Sequence, residues 1–361
     1  MKKKKIIIIV VCIVVALCCG IGVAVAINHK SDNASTSTTP KKVTKTTSDA
    51  VSRLTGLPID ESLANKRPFA IMVENTTSAL PQYGLNTAGV IYECPVEGGI
   101  TRLMAIFDDY SKLDKIGNVR SCRPYYAYIA SEYDAVYVHF GQSVQGKAVL
   151  DSGIVNDLNG LDGSLGSKVF IRADDRKAPH NAYTSPAGLA EGVSIKGYST
   201  DYSSDDKAHF MFSSKANKLS KGTACAVVSL YFYNNKPYFI YDSKSGLYQR
   251  YEFGNKQIDA VDNKQIAVKN IILQDVNSSL YEGTPYLNIP LVGSGDGKYI
   301  TNGKVIDITW KKDSDKGITH YYYQNGDELQ LNPGQTWVSL VENAGIAKNT
   351  FYATEEEYTK K

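Results

Sequence analysis

Histidine, tryptophan and methionine are scarce in this chain of 361 residues, at five, two and four copies. No His-Glu-x-x-His or His-x-His spacing occurs, so the short zinc motifs are excluded, and neither a metal nor another cofactor is expected. No Gly-x-Ser-x-Gly elbow surrounds Ser121 or Cys122, which removes the usual signature of a serine hydrolase. Gly293 to Gly297 (GSGDG) lacks the Lys-Ser/Thr end of a phosphate loop and reads instead as an inter-strand loop. No repeat of about 20–50 residues is visible, which excludes a solenoid or propeller. Charge of one sign is missing as well. The formal net charge is +3, and Lys2 to Lys5 alone supply four positive charges, so the remainder carries −1. That balance excludes a broad nucleic-acid footprint.

What is present begins at the N-terminus. Ile6 to Ile27 is an uncharged run of 22 residues behind four lysines. At about 1.5 Å per residue, a helix of this length crosses a hydrocarbon core of about 30 Å. The lysines stay inside, which places everything after residue 27 outside the cytoplasm. Residues 1–27 are read as an uncleaved membrane anchor, with two alternatives. Ala24-Val25-Ala26 has the form of a signal-peptidase site. Cys12, Cys18 and Cys19 invite lipidation, although the residues before Cys19 make a poor lipobox. Residues 28–52, rich in Thr and Ser, have little to bury and are read as a flexible tether. Cys94, Cys122 and Cys225 are odd in number and cannot all pair within one chain. Buried thiols are expected, with a Cys94–Cys122 bridge as the alternative.

From residue 53 short apolar runs set in. Strands are predicted over 69–73, 90–93, 100–107, 135–140 and 169–171. Helices are predicted over 144–150 and over 124–133, where Pro124 opens the first turn and Ser121 is the candidate N-cap. After about residue 205, Tyr- and Val-rich runs recur over 227–233, 238–241, 306–310 and 319–323, between Asn, Gly and Asp turns. The expected fold is α+β. A layered mixed sheet with flanking helices covers 53–205, a mostly β domain covers 206–345, and a tail covers 346–361.

Several stretches resemble one family. They include Thr55-Gly56-Leu57-Pro58, the segment from Arg67 to Asn75, Val96 to Arg102, Ile116 to Tyr125, Tyr137-Val138-His139 and Ala178-Pro179-His180-Asn181. The second half adds Tyr241-Asp242, Tyr248-Gln249-Arg250, Asn302-Gly303-Lys304, Thr309 to Lys312 and Pro333 to Trp337. In order and spacing these are similar to the YerB-like lipoprotein family, over about residues 54–342. The resemblance implies an α+β fold with layered sheets and a C-terminal β domain, at the bacterial membrane or envelope. It implies no particular activity. The chain departs from the family pattern at the lipobox and at Cys122, where a small apolar residue is usual, so Cys122 is not implied as a shared nucleophile.

Two sets of residues carry candidate chemistry. Arg102, Arg120 and Arg123, with Arg172 downstream, form a basic set near a predicted helix start. A guanidinium fork and a helix N-terminus both favour carboxylate or phosphate. The competing reading pairs these arginines with Glu74, Glu93, Glu97 or Asp134 inside the domain. His139 ends a predicted strand, and His180 sits in the loop Ala-Pro-His-Asn beside Asn181. Either histidine is a candidate general base, without a motif that supports catalysis. Cys122, between two arginines, has a lowered pKa if they lie close. Trp310 and Trp337, with the many tyrosines, are expected as core aromatics, with a carbohydrate-stacking platform as the alternative.

The sequence thus predicts a cell-membrane protein held by residues 6–27, with its folded domains extracytoplasmic. Its expected partner is an anionic cell-wall component, a stem-peptide carboxylate or a teichoic-acid phosphate. The expected ligand-binding residues are Glu97, Arg102, Arg120, Arg123, His139, His180 and Asn181. A binding role is favoured over catalysis. An enzyme acting on an envelope polymer and a scaffold for an envelope protein partner are the alternatives.

Overall fold

The apolar runs over 69–73, 90–93 and 100–107 become strands buried on both faces. The computed structural model describes residues 49–203 and 207–360. The predicted anchor, and the tether as far as residue 48, lie outside them. Among the described residues no helix is long and apolar enough to cross a membrane. The last tether residues belong to the fold: Val51 bridges to Pro58, and the buried Ser52 hydroxyl bonds Asp108.

In chain order the principal strands of the first half are β1 (Phe69–Asn75), β2 (Val90–Pro95), β3 (Thr101–Phe107), β4 (Val136–His139) and β5 (Asn156–Asn159). The second half adds β6 (Val227–Ser229), β7 (Tyr238–Asp242), β8 (Leu247–Glu252), β9 (Asn270–Val276) and β10 (Gly293–Thr301). It continues with β11 (Lys304–Lys312), β12 (His320–Tyr323), β13 (Thr336–Glu342) and β14 (Thr350–Tyr352). The helices used below are α1 (Pro124–Ser131), α2 (Val144–Asp151), α3 (Pro186–Lys196) and α4 (Glu355–Thr359).

One mixed sheet of eleven strands runs Thr223–Ala224, β11, β10, β9, β13, β2, β3, β1, β4, β5, with β12 added to β11. Strand β13 of the second half lies between β2 and β9, parallel to both. The two halves therefore share a sheet, and the described residues form one compact unit. Every residue of β1, β2 and β3 is buried, as expected of strands covered on both sides. Ala70, Met72, Tyr92, Met104 and Ile106 pack on one face with Tyr125 and Tyr126 of α1. Ile71, Val73, Ile91, Leu103 and Ala105 pack on the other with Phe239 and Tyr248, which belong to a second, antiparallel sheet built on β14, β6, β7 and β8.

Four local expectations change. Gly293 to Gly297 is the start of β10 and not a loop. A Cβ on Gly297 would stand 2.4 Å from the Leu273 carbonyl oxygen, and one on Gly295 would stand 2.7 Å from Trp310 Nε1. Glycine is there because neighbouring atoms approach the strand closely. The run 227–233 is a strand only as far as Ser229. Ser121 does not cap α1: Arg123 is the N-cap residue, and the Ser121 hydroxyl donates to Phe140 O at 3.0 Å. The supposed tail supplies β14, paired with β6, and α4.

Candidate functional site

Strand alternation decides what meets at the end of β1 and β3. Glu74 and Arg102 are register partners and share the α1 face of the sheet; the next pair, Asn75 and Thr101, falls on the other face. Two polar clusters form in consequence, back to back.

On the α1 face lies a row of charges. Glu97, in the turn Glu97–Gly99, accepts from Arg123 Nε at 2.9 Å and also bonds Arg123 Nη2. It lies 3.7 Å from Arg102 Nη2. Arg102 Nη1 donates to Ser121 O at 2.8 Å, and the Arg123 guanidinium stands 5.1 Å from the Tyr286 ring centre. Glu74 continues the row. Its side chain is 3% exposed and accepts from the Thr76 hydroxyl at 3.0 Å. His180 Nδ1 is 2.9 Å from both Glu74 carboxylate oxygens, and Arg120 Nε is 3.4 Å from one of them.

Three guanidinium groups thus share two carboxylates. Burial, followed by the charge of Arg123, pushes Arg102 down to about 10. Burial alone would raise Glu97, but the hydrogen bonds and charge of Arg123, helped by Arg102, hold it below the usual carboxylate range. Of the three, Arg120 is the most open, with a side chain 19% exposed; its Nη1 donates to Pro179 O at 3.4 Å, while its buried Nε makes no hydrogen bond among the described residues. His180 is 28% exposed, and among the described residues its Nε2 has no hydrogen-bond partner.

The remaining predicted residues lie elsewhere. His139 is fully buried, with Nδ1 2.9 Å from Gly141 O and Nε2 3.1 Å from Asp157. Both nitrogens are engaged, so it presents nothing to a ligand. The Asn181 side chain donates to Ala173 O at 2.9 Å and accepts from Arg172 at 2.8 Å, bracing its own loop. Cys122 is buried, and burial pushes its thiol up to about 12, against the lowered value its arginine neighbours suggested. All three described cysteines are buried and free of disulfides. Trp310 and Trp337 are both core residues.

The opposite face holds a cluster that sequence reading missed. Arg250, without exposed surface, lies 3.0 Å from Glu93 and 3.4 Å from Glu252, with Trp337 stacked 4.0 Å from its guanidinium. Asn235 donates to Glu93 at 2.8 Å, and Asn75 donates to Thr101 at 2.8 Å. Burial, aided by the Glu93 charge, pushes Glu252 upward, against the pull of Arg250. The only signal in the sequence was a charged residue at each of three strand positions that otherwise read as apolar or tyrosine-rich.

The comparisons follow the same lines. Residues 54–199 match the family described as a protein of unknown function (DUF3048), N-terminal domain, and residues 227–338 match its C-terminal domain. The candidate lipoprotein YerB of Bacillus subtilis (strain 168) is 31% identical over 300 residues, 81% of this chain and 87% of its own. The chain belongs to the YerB-like family. The crystal structure of YerB from Bacillus subtilis covers 81% of this chain and 96% of its own, with a TM-score of 0.71 at 30% identity.

In this YerB-like chain, the stretches that carry the resemblance also supply the row. The segment from Arg67 to Asn75 brings Glu74, Val96 to Arg102 brings Glu97 and Arg102, Ile116 to Tyr125 brings Arg120 and Arg123, and the Ala-Pro-His-Asn loop brings His180. Among the described residues no cluster of three or more His, Cys, Asp or Glu is arranged to hold a metal ion.

Proposed function

We propose that this chain is a membrane-tethered, extracytoplasmic protein that binds an acidic group of an envelope component at the Arg120–His180 end of the charge row. The location is supported by the 22-residue apolar run behind four lysines, which would hold the chain at the membrane, and by the lipoprotein description of YerB. The binding reading rests on one observation. Three arginines are set against two carboxylates, and the open one, Arg120, stands beside a half-exposed histidine. A carboxylate or phosphate arriving there would neutralise the surplus charge and accept bonds from Arg120.

The test is calorimetric titration of the purified full chain with inorganic phosphate and with N-acetyl-D-alanyl-D-alanine, a stem-peptide carboxylate. Arg120→Gln is expected to weaken binding of at least one probe about tenfold or more, with an unchanged melting midpoint. Equal affinity in the variant, or no binding of either probe, overturns the reading.

A second reading has its own observation. Glu74 holds His180 through Nδ1 and leaves Nε2 open, the arrangement of an oriented general base. Turnover of purified cell wall that disappears in His180→Ala and survives in Arg120→Gln would establish an enzyme instead.

A further inference from the structure

Beside the row, where the turn Glu97–Gly99 meets the loop after β6, lies a groove of about 370 Å³. That volume is at the lower end of small-ligand pockets. The loop alternates: Tyr231 is 42% exposed, Phe232 is buried, and Tyr233 is 73% exposed. Among the described residues Tyr231 and Tyr233 are the large aromatics with the most exposed surface, a departure that the core does not require. Facing them, Gly98 and Gly99 both take positive φ, and a Cβ on Gly98 would meet nothing within 4 Å, so a ligand can approach that backbone closely. A Cβ on Gly99 would stand 3.1 Å from the Tyr233 ring, so this glycine lets the ring lie against the turn.

The charge of the groove narrows the ligand. Its carboxylates are Glu97, already bound by Arg123, and Glu342; its ammonium is Lys348, which sits 4.1 Å over the Tyr231 ring. Net charge is close to balanced, one wall carries the two tyrosines and the rest is largely glycine, proline and aliphatic, and carboxylate and backbone acceptors stand at hand. An uncharged, hydroxyl-rich ligand with flat CH faces fits this set: rings stack on tyrosine and hydroxyls donate to carboxylate.

We infer that this groove binds a saccharide chain, a sugar ring lying on Tyr233, with Tyr231 under Lys348 closing one side, and its hydroxyls meeting Glu97 and the Gly98–Gly99 backbone. The inference builds on the reading of an envelope ligand, and it adds a neutral subsite beside the acidic one. Glu97 belongs to both, since it borders the groove and anchors Arg123.

The experiment uses the full chain and a neutral probe, tetra-N-acetylchitotetraose, in calorimetric titration. The unaltered chain is expected to bind it. The double substitution Tyr231→Ala with Tyr233→Ala is expected to weaken binding at least about tenfold, with a melting midpoint lowered only slightly, since Tyr233 is largely exposed and Tyr231 loses mainly its contact with Lys348. Arg120→Gln is expected to leave binding of this probe unchanged, whatever it does to phosphate or to the dipeptide, so the two sites fail separately. No binding at millimolar probe, full binding by the double variant, or binding only to an uncharged peptide control overturns the inference.

Discussion

Glu74 and Arg102 stand directly opposite each other on β1 and β3, yet each takes its ionic partner from elsewhere. Glu74 reaches His180, 106 residues along the chain, while Arg102 turns toward Glu97 and the Ser121 carbonyl. The charge row is therefore a link between distant loops as well as a candidate binding edge.

Replacing Glu74 by Gln separates these roles. It removes a buried carboxylate that satisfies Arg120, His180 and Thr76, and is expected to cost ~2–4 kcal/mol in urea unfolding. The same change raises the surplus positive charge of the row, so phosphate affinity should rise while stability falls. A parallel loss of both would mean that the site had collapsed.

Acid should loosen the row and, separately, the C-terminal end of α1, where the buried Glu132 lies 2.9 Å from His209 and 2.8 Å from Lys312. Glu97 and Glu132 are both held below the usual carboxylate range. For each, burial opposes the shift and is outweighed, by Arg123 for Glu97 and by His209 with Lys312 for Glu132. A depressed folded-state value means that the stabilisation is present above the unfolded value of about 4.3 and is lost as pH falls below it. Urea midpoints measured from pH 6 downward should therefore drop most steeply below about pH 4.3. Glu97→Gln should flatten that slope, and an unchanged slope would contradict the assignment.

The three cysteines outside the apolar run should be chemically quiet. Cys122 and Cys225 are pushed up to about 12 by burial, and Cys94 is shifted in the same direction. Site-resolved mass spectrometry after iodoacetamide at pH 8 should find all three unmodified in the folded chain and modified in urea. Labelling of folded Cys122 would point to a reactive thiol after all.

Arg250 is the keystone of the opposite face. Arg250→Met leaves Glu93 and Glu252 facing each other in the core and is expected to cost ~3–5 kcal/mol. Adding Glu93→Gln and Glu252→Gln to it should recover much of that loss, because no unpaired charge then remains buried. Additive losses would mean that the cluster does not act as a unit.

How much of this was legible depended on the kind of signal. β1 to β3 showed in the sequence because doubly covered strands are nearly continuous apolar runs. β10 did not, because Gly295 and Gly297 serve close packing there and glycine otherwise announces a turn. The strand expected as far as Tyr233 stops at Ser229, because alternating tyrosines look the same in a strand and in a loop that displays them. Within the site, Glu97, Arg102, Arg120, Arg123 and His180 do meet in one row. His139 looked equivalent to His180, since both close a strand or sit in a loop, yet α1-face packing and Asp157 seal it. Pairings such as Glu74 with His180 span too much chain for any local pattern to reveal.

The place of β13 has a consequence for how the protein is made. Strand β2 acquires its parallel neighbour only when residues 336–342 arrive, so an emerging chain of the first 200 or so residues carries a long unpaired apolar edge. Such an edge recruits any strand it meets, and pairing across this separation closes slowly. Residues 49–205 produced alone should therefore aggregate and recover solubility when the remaining residues are co-expressed. A chain released before its last segment is complete would be sticky, which makes the late arrival of β13 a determinant of yield.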